Sequence, residues 1–319
     1  MTAELLPFPG ESSRAARYLQ VPRSPATLRA YAADWRQWER WCRFQKIDAC
    51  PASPGALAEH LAWLADEGKS VATIRRRAAG VAFGLRMRKA PAPARDGEVE
   101  ELLRCIGRVL DPDPPRRAPP VELEDMRAIA DCLAALHQED RHDMASARDR
   151  ALLLVGWVGA LRRSELVGLD WEDLAWRPEG LILTLRRTKQ RTAAIEHYIV
   201  RSERLARCPL SALGTWKNRS HAFSGPIFRR ILRGGAVGSR RLGSASVGPI
   251  LRARADEAGV KTAGLTAHSL RSGGLTAAAM AGARRAELLR HSRHRRGDTL
   301  DGYIRPAQAW ERHPARGLL

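Results

Sequence analysis

The sequence predicts a mainly α protein of two domains, with a small antiparallel β-sheet confined to the second. Three observations predict it. Apolar residues recur at spacings of three and four through most of the chain, the period of amphipathic helices. Residues 180–200 break that period with two short aliphatic and β-branched runs. Between the halves, residues 111–120 read DPDPPRRAPP, with five prolines in ten. Such a stretch forms neither helix nor central strand and acts as a semi-rigid spacer.

Residues 1–23 carry no strong period and read as a loosely ordered tail. From Ser24-Pro25 a helix is expected, with Leu28, Tyr31, Trp35, Trp38 and Cys42 along one face. A second covers about 54–67, presenting Leu57, Leu61 and Leu64, and Gly68 ends it. A third covers about 71–89, turning Ile74, Val81 and Leu85 inward, and a fourth runs from about 97 to 110. Residues 24–110 thus form a small helical domain. After the 111–120 spacer, the second domain (121–319) opens with helices near 122–138 and 145–158. Two strands follow, LILTL and AIEHYIV, joined by a polar turn near Thr188–Thr192. Helical patterns return near 210–216, 246–257, 269–281 and 284–290.

A chain of 319 residues with 44% hydrophobic and 28% charged residues has the composition of globular protein and enough length for two cores. The longest apolar run, Ala151 to Leu161, is about half of what a bilayer crossing requires. No basic-then-apolar leader pattern is present at the start. Membrane and secreted classes are therefore not expected. Cys42, Cys50, Cys105, Cys132 and Cys208 are dispersed without a C-x-x-C pair, which fits a reducing compartment and argues against a structural zinc site.

Lys+Arg number 54 against 35 Asp+Glu, a formal charge of +19. A balance this basic points to a polyanionic partner. Only six of the basic residues are lysines, so a lysine at a special place is informative. Between Glu203 and Asp256 there are eleven basic residues and no acidic one; a run of that length implies nucleic-acid contact.

Four segments of the second domain carry phosphate-handling side chains. The first, ALRRSEL (160–166), places Arg162 at the end of a buried helix with Glu165 three residues on to orient it. Next, in the strand-to-strand turn, comes Lys189. His268 and Arg271, in HSLRSGG (268–274), share a helix face at i,i+3. Last, RHSRH (290–294) is followed by TLDGYIRP (299–306), with nine positions from His294 to Tyr303. His291 and His294 also have i,i+3 metal-ligand spacing, but no thiolate or carboxylate stands beside them to complete a site. No GxxxxGK[ST] occurs, and the acidic group Glu139, Asp140 and Asp143 reads as a solvated loop.

As a set, in this order and behind a helical domain, these segments resemble the tyrosine recombinase/integrase family, over roughly residues 24–315. The resemblance implies an N-terminal helical (SAM-like) core-binding domain and an α+β tyrosine-recombinase catalytic domain. It implies a site-specific recombinase that cuts and rejoins DNA through a 3′-phosphotyrosine, with no metal, nucleotide or other cofactor. Tyr303 would be the nucleophile. Arg162 and Arg271 would clamp the phosphate oxygens, and Lys189 would protonate the leaving 5′-oxygen. His268 would assist proton transfer, His294 would hydrogen-bond the phosphate, and Glu165 would hold the arginine and histidine side chains in place.

Double-stranded DNA would be gripped from two sides, by Arg75, Arg76 and Arg77 and by the basic segment with Arg229, Arg230, Arg240 and Arg241. The tail after Tyr303 would dock on a neighbouring protomer, giving a tetramer on paired sites, with an accessory directionality factor as a further partner. The cytoplasmic nucleoid of a bacterium is the implied location. The stretch before residue 24 is too short for an arm-binding domain, which favours the simpler two-domain members. Two departures stand out: Gln190-Arg191-Thr192 replaces a longer Asp/Gly turn, and Arg293 stands where a glycine usually precedes the second histidine. The rival reading is a DNA-binding protein of the same fold without activity.

Overall fold

A computed structural model of the chain describes residues 25–93, 96–110, 118–140, 143–186, 194–294 and 300–301. They fall into two units divided between residues 116 and 117. The tail 1–23, most of the spacer, Lys189 with its turn, Tyr303 and the tail after it lie outside the described residues.

The first unit is four helices: α1 (Pro25–Gln45), α2 (Pro54–Asp66), α3 (Val71–Met87) and α4 (Gly97–Leu110). Ser53 and Ser70 cap α2 and α3, their hydroxyls accepting from Ala56 N and Thr73 N. Leu57, Leu61, Leu64, Ile74, Val81 and Leu85 are all fully buried, as their spacing predicts. Three tryptophans of α1, Trp35, Trp38 and Trp41, complete that core. Leu28, expected on the same face, is exposed; it lies in the first turn of α1, before the helix reaches the buried tryptophans. Gly84 lets α3 approach α1, since a Cβ there would stand 2.0 Å from the Trp35 ring.

The second unit is built around α6. Its helices are α5 (Leu123–Glu139), α6 (Met144–Val158), the short α7 (Arg163–Gly168), α8 (Pro209–Ser220), α9 (Val247–Glu257), α10 (Ala267–Met280) and α11 (Arg285–Ser292). The apolar run in the sequence is α6, buried on all sides from Ala151 to Val155. Strands β1 (Leu174–Trp176), β2 (Gly180–Leu185) and β3 (Ile195–Val200) form an antiparallel sheet in that order. The register pairs Leu183 with His197 and Leu181 with Ile199, so these four side chains share the buried face.

A second, two-stranded sheet, β4 (Arg229–Ile231) with β5 (Val237–Arg241), was not expected from the sequence, nor were α7 and β1. Its strands carry arginines where a β pattern would show branched apolar residues. No described helix is long and apolar enough to cross a membrane.

Candidate active site

Helix α6 ends at Val158, and Gly159, Ala160 and Leu161 turn the chain into α7. Arg162 is therefore not on the buried helix, as its sequence position suggested, but at the N-cap of the next one. The turn is strained: Ala160 has φ +42°, a left-handed conformation that L-residues rarely adopt. It is held at three successive carbonyls. Val158 O accepts from His291 Nε2 at 2.9 Å, Gly159 O from His197 Nε2 at 2.8 Å, and Ala160 O from Arg271 Nη1 at 2.5 Å.

Arg271 reaches that carbonyl because α10 lies close against the end of α6. Gly273 and Gly274 make the approach feasible: a Cβ on either would stand about 2 Å from the carbonyl oxygens of Val121 and Trp157 respectively. The Arg271 side chain is almost fully buried. Besides Ala160 O, its guanidinium donates to Ser292 O and lies 3.1 Å from His294 Nε2. Arginine only donates, so Nε2 of His294 accepts and the imidazole is neutral. Its pKa is pushed down to about 4, by burial first and then by the charges of Arg271, Arg162, His268 and Arg293. Arg162, His268, Arg271 and His294 thus converge, from three separate chain segments. His268 itself is exposed, in the first turn of α10.

Glu165 ties Arg162 down. Its Oε1 accepts from Arg162 Nη1 at 2.6 Å and its Oε2 from the Arg162 backbone N at 2.9 Å. Burial would raise the pKa of this carboxyl, but Arg293 and Arg162 outweigh it and hold Glu165 below its ordinary range.

Arg293, the departure noted in the sequence, keeps the glycine-like backbone of that turn. It is the C-cap of α11 with φ +57°. Its side chain turns inward, with Nη2 2.8 Å from Glu165 Oε2 and Nη1 2.8 Å from His197 Nδ1. Neither Arg293 nor His197 was singled out as a site residue. His197 was legible as a buried histidine, since strand alternation puts it on the same face as Ile199. His291 spends its Nε2 on Val158 O and packs against His197, ring centroids 4.8 Å apart. Among the described residues no three His, Cys, Asp or Glu side chains group as a metal site.

The arginines expected at DNA differ in their surroundings. Arg230 and Arg240 are exposed. Arg241, by contrast, donates to Val167 O and Leu169 O and pairs with Asp170, while Arg229 donates to Pro226 O and Ser224 O. The acid-free segment draws counter-ions from the rest of the unit: Arg207 pairs with Asp131 and Arg254 with Asp149. In the first unit Arg75 and Arg76 are exposed, with Arg76 paired to Asp34, and Arg77 is half-buried.

Residues 127–309 match the phage integrase family. The chain belongs to that family. The matched span contains every residue of the expected catalytic set, from Arg162 to Tyr303. This phage integrase family member is 31% identical over 299 residues to an integrase/recombinase XerD homologue of Selenomonas ruminantium, covering 92% of this chain and 85% of the relative. It is 26% identical over 193 residues to the tyrosine recombinase XerD of Pseudomonas putida, covering 60% and 61%. The fold is that of a lambda integrase dimer bound to a COC′ core site (TM-score 0.59, 15% identity, 90% of this chain and 74% of that one). It is also that of XerH bound to palindromic difH in a post-cleavage complex (TM-score 0.58, 13% identity, 84% and 73%).

Proposed function

We propose that this phage integrase family member is a site-specific DNA recombinase working through a 3′-phosphotyrosine. The observation that carries the reading is the convergence of Arg162, Arg271, His268 and His294 beside a single buried carboxylate, Glu165. Three guanidinium groups, those of Arg162, Arg271 and Arg293, stand there against that one carboxylate, an excess of positive charge matched to an anion, and a DNA phosphate is the anion a recombinase acts on.

In the proposed reaction the Tyr303 oxygen attacks the scissile phosphorus and its proton passes toward His268. A Tyr–O–P bond forms and the P–O5′ bond breaks, and Lys189 gives a proton to the departing 5′-oxygen. Arg162 and Arg271 bind the non-bridging oxygens as charge builds on them, and His294 donates a hydrogen bond to the phosphate. Chain connectivity supports the role of Tyr303. Leu300, three positions before Tyr303 in the sequence, is fully buried in one cluster with Ala160. Asp301 is anchored beside it by Arg285 at 2.8 Å. Reversal of the attack by a new 5′-hydroxyl would reseal the strand without ATP.

Residues 24–110 would be the core DNA-binding domain, gripping the duplex with Arg75, Arg76 and Arg77, and 121–319 the catalytic domain. The tail after Tyr303 would dock on a neighbouring protomer, so that four subunits pair two sites for integration, excision or resolution of a mobile element or replicon. The test is strand exchange between two copies of the recombination site recovered from DNA flanking the gene. Wild type should exchange them and Tyr303→Phe should not; specific binding with no exchange by either would favour the inactive DNA-binding reading.

A further inference from the structure

Arg162 is only as fixed as the groups that hold it, and those trace back to Arg293 and His197. Glu165 takes both the side chain and the backbone N–H of Arg162, and Glu165 is in turn fixed by Arg293 Nη2 at 2.8 Å. On the other side of the same turn, His197 holds Gly159 O. A carbonyl only accepts, so Nε2 of His197 carries the proton and Nδ1 is the acceptor facing Arg293 Nη1. Arg293 Nη1 also donates to His291 O at 2.9 Å, and the His291 ring packs on His197 while holding Val158 O. One guanidinium therefore spans both ends of the strained turn that carries Arg162.

An arginine at this place is costly, because its left-handed φ of +57° suits glycine. Its side chain is nearly buried and carries a charge into the interior. A residue so placed is explained by what the side chain does. We propose that Arg293 and His197 form a positioning pair that sets the Arg162 guanidinium against the scissile phosphate, Arg293 through Glu165 and His197 through Gly159. The inference rests on the recombinase reading of the site.

The test compares wild type with Arg293→Gly and Arg293→Lys. Two quantities are read on a nicked duplex of the recombination site: affinity, and the rate of covalent adduct formation at saturating DNA. Glycine fits the left-handed backbone, so the first variant removes the side chain without adding strain. A misplaced clamp costs rate and spares affinity: Arg293→Gly should form adduct on the order of 30–100-fold more slowly, with Kd within about threefold of wild type. Arg293→Lys, which keeps a charge but not the fork, should recover part of that loss.

Circular dichroism reports whether each variant is folded at the assay temperature; if Arg293→Gly is not, a roughly tenfold loss of rate at unchanged Kd in Arg293→Lys supports the same conclusion. A folded Arg293→Gly (or, where that variant is unfolded, a folded Arg293→Lys) that cleaves within about threefold of wild type, or whose Kd weakens as much as its rate falls, overturns the pair's role. A wild type that binds its verified site without forming adduct would instead overturn the recombinase reading, and the inference with it.

Discussion

Arg293 Nη2 and Glu165 Oε2 lie 2.8 Å apart across 128 positions of sequence, and both side chains are under a tenth exposed. The pair joins the turn after α11 to the start of α7, and so ties together the two chain segments that supply His294 and Arg162. Removing one partner of such a pair strands the other charge in the interior. Glu165→Ala should therefore lose about 3–5 kcal/mol of stability, read from denaturant unfolding of the variant against wild type.

The two proposed phosphate clamps differ in what else they do. Arg271 is buried and secures Ala160 O and Ser292 O, whereas the Arg162 side chain is about a third exposed. Either substitution by alanine should slow adduct formation by more than about 100-fold. Only Arg271→Ala should also cost on the order of 3 kcal/mol of stability, because buried carbonyls lose a charged donor. Thermal melts set beside cleavage rates separate the two effects.

At the β4–β5 hairpin, exposure divides arginines adjacent in sequence. Arg230→Ala and Arg240→Ala should each reduce the slope of log Kd against log salt by about 0.9, the value of one phosphate contact, without altering the melting temperature. Arg241→Ala should do the reverse, lowering the melting temperature through the loss of Asp170, Val167 O and Leu169 O. Binding isotherms over a salt series, with melts of the same variants, check both halves.

His197 titrates abnormally. Burial foremost, then Arg293 and His291, push its pKa from 6.5 down to about 3, against the opposing pull of Gly159 O and Glu165. Between those two values the unfolded chain binds the proton and the folded chain does not, so stability drops as pH falls through that window. This residue alone should contribute about 1.4 kcal/mol per pH unit below pH 6.5. His197→Gln keeps a donor for Gly159 O and removes the titration. Its unfolding free energy should therefore fall less steeply than wild type between pH 6.5 and 4.5, as urea melts at each pH would show.

Much of this molecule was legible as sequence. The helical period placed Leu57, Leu61 and Leu64 and Ile74, Val81 and Leu85 inward, because burial of one face is a local pattern. Arg162, His268, Arg271 and His294 were singled out by residue type and spacing and given their roles by the family resemblance, and the structure brings the four side chains near one another. Arg293 was legible only as an anomaly. Its backbone conformation follows from the helix end, but the direction of its side chain depends on a carboxylate buried by segments far away in sequence. The β4–β5 hairpin escaped for a related reason: Arg229 and Arg241 pair across it, held by carbonyls and an aspartate that no local pattern reveals. The eleven arginines and lysines of the acid-free segment were read as one surface, yet Arg207, Arg241 and Arg254 are balanced by Asp131, Asp170 and Asp149.

The most direct test of the account is covalent trapping. A nicked suicide duplex of the recombination site, incubated with wild type or Tyr303→Phe in EDTA, is resolved on a denaturing gel. The account predicts a protein–DNA adduct in wild type that survives EDTA, is absent from Tyr303→Phe, and maps to a 3′-phosphate on Tyr303. Cleavage that EDTA abolishes, or an adduct that persists in Tyr303→Phe, would contradict it.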